Sequence, residues 1–431
     1  MRKKKLKKIV KISIILMILA LLCSCSRIPK IGSGEKPELL EDNFKPNTLE
    51  NIDIEIETYE KYKKNAMSAF ADMTPTAAEE FEYTATENGI RIDKHIGQSE
   101  MVVIPTEIDG LNVTEIAPEA FYIPDGKSNI RSLYVPDTVK TVGLGAFKEC
   151  SKLQLVRLPF IGDGGENTHV GFVFGADKYD QNALSIPTSL EMIIIGEGEK
   201  DVADRAFYGV KSVEAIVLMG ATSIGKFAFY ECDQLCYVGL SETLESIGDY
   251  AFSTCQALSK IELPKSVKSV GFGAFYRCRS MCDMTLSVIG DGNKNTHIGY
   301  IFGAKVADWN EDFVPVSLKR VTLLDSVTRI ENKAFANCDG IVQINFSGTL
   351  EFIGIRAFVN CRSITELDCP ASLKTISGDA FFGCDNLVSL KVTGGRTEIH
   401  SQAFYGCDKL SDLDLGGASK IYQNAFENKG E

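Results

Sequence analysis

The dipeptide Ala-Phe recurs eleven times between residues 120 and 426 in a nearly fixed register. Its phenylalanines stand at positions 121, 147, 207, 229, 252, 275, 335, 358, 381, 404 and 426. Most intervals are 22 or 23 residues, one is 26, and two are 60. An Ile or Val precedes each of these alanines by four residues, and a Cys follows eight of the phenylalanines by three. Self-similarity at a fixed period of this length is the signature of a solenoid of stacked units.

An apolar stretch with strand spacing lies between each Phe and the next Ile or Val, as in Leu258, Ile261 and Leu263. The unit Cys-x-x-Leu-x-x-Ile-x-Leu-Pro-x-x-Val-x-x-Ile-Gly-x-x-Ala-Phe resembles the BspA-like leucine-rich repeat, whose period is 23 residues. The resemblance covers residues 81–431. It implies a β-rich leucine-rich-repeat solenoid with one short parallel strand per coil, an inner spine of phenylalanines, and buried thiols that bond to loop backbone.

Glycine follows the Ile or Val in five units, at positions 143, 225, 248, 271 and 354. Glycine adopts backbone conformations that other residues resist. We therefore predict a backbone bend at these five positions.

The two 60-residue intervals predict enlarged coils, at about 148–207 and 276–335. Their segments IGDGGENTHVGFVFGA (161–176) and IGDGNKNTHIGYIFGA (289–304) match at an offset of 128 residues, so a block of that length has been duplicated. We expect a longer coil whose extra loop projects and returns at Ser189 and Ser317. The Asp291-x-Asn293-x-Asn295 spacing resembles a calcium loop, but the first copy has Gly165 instead of an Asn, which favours turn architecture.

Residues 81–115 have the features of an N-terminal cap. Phe81–Tyr83 and Ile90–Ile92 alternate about Asn88-Gly89, which is a strong hairpin signal. A capping hairpin would cover the first open edge of the sheet.

The first 24 residues have the features of an export signal. A basic stretch to Lys11 is followed by an apolar run, Ile12–Leu22, that is too short to span a bilayer. Leu22-Cys23-Ser24-Cys25 resembles the bacterial lipoprotein lipobox, which implies lipidation at Cys25. Residues 25–50 then predict a flexible tether.

Residues 51–80 predict a short helical segment. Ile52, Ile56, Tyr59 and Phe70 are spaced as on one face of a helix that ends before Pro75. Such a helix could serve dimerisation, but packing on the end of the solenoid is the simpler interpretation.

The composition points away from catalysis. The net charge is -12, so nucleic acid is a poor partner. There are four His and one Trp, and no nucleophile, phosphate-loop or zinc-protease motif is present. We therefore expect no enzyme, no catalytic residues, no metal and no cofactor. Cys232/Cys236 and Cys278/Cys282 lack the further ligands of a zinc site.

The outward positions of the predicted strands are the remaining candidates for binding. In leucine-rich repeats the residues beside the central strand position face outward on the concave side. The candidate ligand-binding residues there are Tyr134, Arg157, Tyr237, Lys260, Glu262, Asp283 and Arg320.

The sequence thus predicts a lipid-anchored, exported bacterial surface protein, expected to be monomeric. The resemblance implies adhesion, with an extracellular protein or a glycan as partner. The alternative is a structural role in the cell envelope without a soluble ligand.

Overall fold

The computed structural model describes residues 57, 59–65, 69, 73–124 and 128–427. All of them belong to the unit formed by Lys45–Glu431. The predicted signal (1–24), the lipidation residue Cys25 and the tether (25–50) lie outside the described residues. Within the described ranges, no helix has the length and apolar character required to cross a bilayer.

The solenoid begins with the predicted hairpin. Phe81 lies opposite His95, and Thr86 opposite Gly89, in an antiparallel pair. The second strand of the hairpin then pairs in parallel with Leu111–Ile116, which leads into the first coil. The strands of this cap are β1 (Phe81–Thr86), β2 (Gly89–His95), β4 (Glu107–Ile108) and β5 (Leu111–Ile116). The capping hairpin is confirmed.

Each coil contributes one strand to a first row of parallel strands. Neighbours that pair do so in register, so that Ile216 lies opposite Ile193 on one side and Val238 on the other; the ladder is interrupted between β13 and β15 and between β20 and β22. The first-row strands are β3 (Met101–Val103), β6 (Ser132–Tyr134), β8 (Leu155–Leu158), β9 (Met192–Ile195), β11 (Ala215–Leu218), β13 (Tyr237–Gly239), β15 (Lys260–Glu262), β17 (Asp283–Leu286), β18 (Arg320–Leu323), β20 (Gln343–Asn345), β22 (Glu366–Cys369), β24 (Ser389–Val392) and β26 (Asp412–Asp414). The predicted solenoid of stacked parallel strands is confirmed.

Most coils also carry a second, shorter strand that the sequence pattern did not separate from the loop. It ends at the Ile or Val that precedes Ala-Phe, which is buried in these strands apart from Ile421 at the C-terminal edge. The second row continues from β5 and consists of β7 (Thr141–Val142), β10 (Asp201–Val202), β12 (Ser223–Ile224), β14 (Ser246–Ile247), β16 (Ser269–Val270), β19 (Arg329–Ile330), β21 (Phe352–Ile353), β23 (Thr375–Ile376), β25 (Thr397–Ile399) and β27 (Ala418–Ile421).

The phenylalanines of the repeat form the inner spine. In the central coils their rings stack face to face, with 4.9 Å between the centroids of Phe207 and Phe229 and 4.8 Å between those of Phe229 and Phe252. This matches the strand spacing of about 4.8 Å. The repeat cysteines are free thiols, and most donate to a phenylalanine carbonyl, as Cys255 does to Phe229 at 3.1 Å. The prediction of buried thiols bonded to loop backbone is confirmed.

The five glycines that follow the Ile or Val have a different role from the predicted one. Their backbone torsions are not left-handed. Instead, a Cβ on Gly248 would lie 2.7 Å from the carbonyl carbon of Gly225, and one on Gly225 would lie 2.6 Å from the backbone nitrogen of Asp204. Glycine is required because adjacent coils approach closely, and the predicted conformational reason for these glycines is wrong.

Each long interval carries two first-row strands and an additional inward phenylalanine. The 3₁₀ helices Val170–Phe174 and Ile298–Phe302 place Phe174 and Phe302 in the core. The amide of Phe147 donates to the carbonyl of Val173 at 2.8 Å, in the way that Phe207 donates to Ala228. The prediction of a projecting loop is therefore wrong for these two 3₁₀ helices, because their apolar side chains are buried in the shared core.

Short helices complete the two long intervals. They are the 3₁₀ turns Tyr179–Gln181 and Ala307–Trp309 and the one-turn helices α1 (Asn182–Ser185) and α2 (Asn310–Phe313). A further 3₁₀ turn, Ala78–Glu80, precedes the cap.

Candidate functional site

The strand face, defined as the outward side chains of the first-row strands, contains all seven predicted binding residues. Tyr134 lies on β6, Arg157 on β8, Tyr237 on β13, Lys260 and Glu262 on β15, Asp283 on β17 and Arg320 on β18. Tyr134, Glu262 and Arg320 are half-buried, and the other four are buried. The structure thus brings the predicted residues onto one face, and their role in binding stays a prediction.

Arg157 is held by its neighbours within the N-terminal part of this face. Its guanidinium donates to both carboxylate oxygens of Asp137 at 2.6 Å and to the carbonyl of Val135 at 2.7 Å. It also lies over the ring of Tyr134, 4.9 Å from the centroid. Because only 6% of Arg157 is exposed, this residue organises the face more than it presents a free charge.

Asp283 on β17 and Arg320 on the adjacent β18 form a similar pair five strands further along. Arg320 Nη1 lies 3.2 Å from Asp283 Oδ2. Burial raises the pKa of Asp283, while the charges of Arg320 and Lys260 lower it, and the net direction is upward.

The middle of the strand face is covered by the N-terminal segment, defined as the described residues 57, 59–65 and 69. Residues 59–65 are helical. Tyr59 and Tyr62 are buried at 3% and 6% exposure. They pack in a small cluster with Met192, Ile194, Ala215 and Tyr237, which is separate from the main core of the solenoid. The rings of Tyr59 and Tyr237 meet edge to face at 4.9 Å.

Polar contacts surround this apolar cluster. The Tyr62 hydroxyl donates to Glu214 Oε2. Lys63 Nζ lies 2.9 Å from Glu262 Oε2, and Lys260 Nζ lies 3.3 Å from Glu60 Oε1 and 2.8 Å from Glu262 Oε1. Lys260 also lies over the Tyr59 ring at 4.7 Å. Positive and negative groups alternate across the interface, so the segment and the face are complementary in charge.

The pKa shifts at this interface reflect the same arrangement. Burial and the nearby Glu262 raise the pKa of Tyr59, and burial with the Glu214 contact raises the pKa of Tyr62. The pKa of Glu262 is lowered: burial opposes ionisation, but hydrogen bonds from Lys260 and Lys63 outweigh it. The hydrogen bond to Glu262 raises the pKa of Lys63. At neutral pH Tyr59 and Tyr62 are therefore neutral, and Lys63 and Glu262 are charged.

The segment lies on the strand face and not on the end of the solenoid, where the simpler interpretation placed it. One sequence signal could have located it. Met192–Ile195 and Ala215–Leu218 are unbroken apolar runs, whereas a strand with one solvated face alternates. Their outward members Met192, Ile194 and Ala215 contact the segment.

The C-terminal part of the strand face is exposed and mainly acidic. Its exposed charged side chains are Glu366, Asp368, Lys391, Asp412 and Asp414. Hydrogen bonds cross between some neighbouring strands, as from Ser389 to Asp412 at 3.0 Å.

The duplicated loops are held by internal hydrogen bonds. Asp163 Oδ1 accepts from the amides of Gly165 and Asn167 at 2.7 and 3.1 Å. Asn182 Oδ1 lies 3.0 Å from both His169 Nδ1 and the amide of Gly171. The second copy repeats these contacts through Asp291, His297 and Asn310. These contacts give the shared residues a role in turn architecture. Over the described ranges, no group of three or more His, Cys, Asp or Glu is placed to hold a metal ion.

A row of aromatic side chains on the outer turns was not anticipated. Neighbouring rings in the row have centroids no more than 6.4 Å apart. Phe227 and Tyr250 are in left-handed backbone conformations, with φ of 57° and 55°, which cost bulky residues about 1–2 kcal/mol. The row consists of Tyr179, Tyr208, Phe227, Tyr230, Tyr250, Phe272, Tyr276, Tyr300, Trp309 and Phe313. It ties together the outer turns between the two long intervals.

Two rows of short parallel strands around a ladder of phenylalanines define a leucine-rich-repeat solenoid. The chain belongs to the BspA type leucine rich repeat family. The model of that repeat region matches in 6 copies, over residues 107–162, 178–299 and 310–430.

Solved structures of similar fold come from several bacteria. A leucine-rich repeat protein from Bacteroides ovatus is 21% identical over 82% of this chain and 98% of its own, with a TM-score of 0.37. A leucine rich cell surface protein from Faecalibacterium prausnitzii is 21% identical over 84% and 96%, with a TM-score of 0.32. A leucine-rich repeat protein from Treponema pallidum is 23% identical over 68% and 91%, with a TM-score of 0.21. Among curated proteins the chain has no significant match.

Proposed function

We propose that this protein is a lipid-anchored surface protein that binds an extracellular macromolecule through the middle of the strand face. The observation that carries the proposal is that this face already binds polypeptide. It buries Tyr59 and Tyr62 of the N-terminal segment. Its Lys260 pairs with Glu60 of the segment, and its Glu262 pairs with Lys63. A surface that desolvates aromatic side chains inside a polar rim has the anatomy of a binding interface.

The anchor follows from the N-terminal sequence. The lipobox-like Leu22-Cys23-Ser24-Cys25 directs diacylation at Cys25, and residues 26–50 then hold the solenoid away from the bilayer. Cys25→Ser is expected to abolish incorporation of labelled palmitate and to release the protein from the membrane fraction. Retention of label in this variant, with loss in Cys23→Ser, would move the acceptor to Cys23.

A binding screen tests the proposed role. The chain from residue 26 onward is presented to immobilised matrix proteins, serum proteins and glycans. A saturable hit that Tyr237→Ala weakens at least about tenfold, with an unchanged melting temperature, supports binding through the strand face. Glu366→Lys, at an uncovered position of the same face, is the matched control. Binding that neither substitution alters would place the site elsewhere.

A further inference from the structure

The N-terminal segment contacts the solenoid as a separate ligand would. Its partners Glu214 and Glu262 lie 152 and 199 residues away in the chain. Its tyrosines form a cluster with outward side chains of β9, β11 and β13, apart from the phenylalanine core. The solenoid core is complete without these contacts, so they can break without unfolding it.

The contacts specify a short helical pattern. Tyr59, Tyr62 and Lys63 stand at positions i, i+3 and i+4, and so project from one face of a helix. The two rings enter the apolar patch of Met192, Ile194 and Tyr237. The lysine then reaches the Glu262 carboxylate at the edge of the patch. This is the arrangement in which an amphipathic helix docks on a receptor surface.

We propose that the N-terminal segment is a built-in occupant of the strand face, and that the partner this face fits is a helical peptide with two aromatic residues three apart followed by a basic residue. Such a partner binds once the segment has left. The inference rests on the proposed function, since it names the class of partner for the same face. The occupied state is then an autoinhibited one.

The first test follows release of the segment in the chain from residue 26 onward. Trypsin cleaves after Lys61 and Lys64, which every variant below retains, only in molecules whose segment is undocked, so the cleavage rate at these two bonds reports that population. Tyr59→Ala/Tyr62→Ala is expected to raise the rate at least about 30-fold, as loss of buried aromatic anchors does. Lys63→Glu is expected to raise it about three- to tenfold.

Charge exchange makes the test specific to the proposed contact. Glu262→Lys alone is expected to release the segment, and the double variant K63E/E262K to restore protection to within about threefold of the wild type. Glu366→Lys, on an uncovered part of the face, is expected to leave the rate unchanged. Equal cleavage in wild type and in the double-tyrosine variant would overturn the proposal, as would failure of the charge exchange to restore protection.

The second test adds the occupant from outside. A labelled peptide of residues 52–73 is titrated into the double-tyrosine variant, whose melting temperature is checked first. Saturable binding is expected there, and binding at least about tenfold weaker to the wild type, because its face is occupied. The K63E peptide is expected to bind the variant more weakly, and to regain affinity when Glu262→Lys is added to the variant.

The outcomes separate this inference from the proposed function. No binding of the peptide to the folded variant, or equal binding to both proteins, overturns the built-in occupant whatever the partner screen finds. An oligosaccharide that binds the strand face of the variant when the peptide does not would overturn the partner class and leave the proposed function standing. If the peptide binds but the screen finds no partner, the result supports the segment as built-in occupant and excludes only the partners that were tested.

Discussion

Each inward phenylalanine of the central coils stacks on one ring before it and one after it. Phe252 lies between Phe229 at 4.8 Å and Phe275 at 5.5 Å, with nearly parallel planes. Alanine precedes each of these rings, and the next coil crosses close to it: the amide of Phe229 donates to the carbonyl of Ala251 at 2.7 Å. In each turn the small alanine therefore allows the neighbouring coil to approach, and the large phenylalanine stacks in the core.

Removal of one inner ring tests the spine. Phe252→Ala is expected to lower the free energy of unfolding by about 3–5 kcal/mol, because a cavity opens between two stacked rings. Phe426→Ala is the matched control: this ring is only partly buried and, among the described residues, stacks on Phe404 alone, so its loss is expected to cost less. Chemical denaturation measures both. Equal costs would show that stacking between coils contributes little.

The buried histidines predict a dependence of stability on pH. Burial lowers the pKa of His95, His169 and His297 below the ordinary histidine value. The unfolded chain takes up protons as the pH falls through about 6.5, and the folded chain does so only at lower pH. The contribution of these three histidines to stability is therefore constant above that value and declines below it.

His95 provides a direct check of this prediction. Its ring stacks on Phe121 at 5.3 Å, and neither ring nitrogen has a hydrogen-bond partner among the described residues. The Glu80 carboxylate lies 3.9 Å from Nε2, and burial outweighs its charge in setting the pKa. His95→Phe keeps a stacking ring and is expected to reduce the decline in melting temperature between about pH 7.5 and about pH 5.5. A wild-type melting temperature that stays level across this range would contradict the account.

At this scale the sequence predicted the core better than the site. Phe, Ala and Cys repeat because every coil repeats the same inner environment, so their burial could be deduced from the period. The contacts of Tyr237 and Lys260 could not be deduced from the period. They depend on Tyr59 and Glu60, which lie outside the repeat and far away in the chain.

At the scale of the element, adjacent second-row strands come very close where they turn toward Ala-Phe. Gly225, Gly248 and Gly271 form a column in which a Cβ on each would meet the backbone of the preceding coil. Some later coils have another residue at this position, as at Ser377, whose amide makes the corresponding bond to the carbonyl of Ile353. The spacing of coils at this turn therefore varies along the solenoid.

A substitution in this column tests the close approach. Gly248→Ala is expected to cost about 1–3 kcal/mol, because the coils must separate to admit a methyl group. Ser377→Ala, at the same position of a later coil, is the control and is expected to change stability by less than about 0.5 kcal/mol. Thermal unfolding of the two variants gives the comparison. A tolerated Gly248→Ala would contradict the claim that close approach of the coils requires glycine here.

The second-row strands and the long intervals show why elements were harder to predict than the period. A two-residue strand is too short to display an alternating pattern. In the long intervals the Ala-Phe dipeptide is replaced by Val173-Phe174 and Ile301-Phe302, which conceals a further inward turn. Only the hydrogen bonds from the neighbouring coil show that Val173-Phe174 and Ile301-Phe302 occupy the position of Ala-Phe.

At the scale of the whole solenoid, each coil contacts only its neighbours, so the two ends differ from the middle. The cap hairpin covers the N-terminal edge. At the other edge of the described ranges, β26 pairs with β24 alone and β27 with β25 alone. Leu413 and Ile421 are nearly half exposed there.

The C-terminal coil is therefore expected to open first. Amide hydrogen exchange in Asp412–Asp414 is expected to be faster than in Lys260–Glu262, because opening the last coil breaks fewer contacts. Mass spectrometry of the exchanged peptides measures the difference. Equal protection in the two strands would mean that something else covers the C-terminal edge.

The most direct test of the central claim is to map a partner from the screen onto the strand face. Its affinity is measured for the wild type, for Glu214→Lys/Glu262→Lys, and for Glu366→Lys/Asp368→Lys as an uncovered control of equal charge change. The account predicts that the first double variant alters the affinity at least about tenfold, while the control alters it less than about threefold. Equal affinity for all three proteins would contradict the claim that this face is the binding surface.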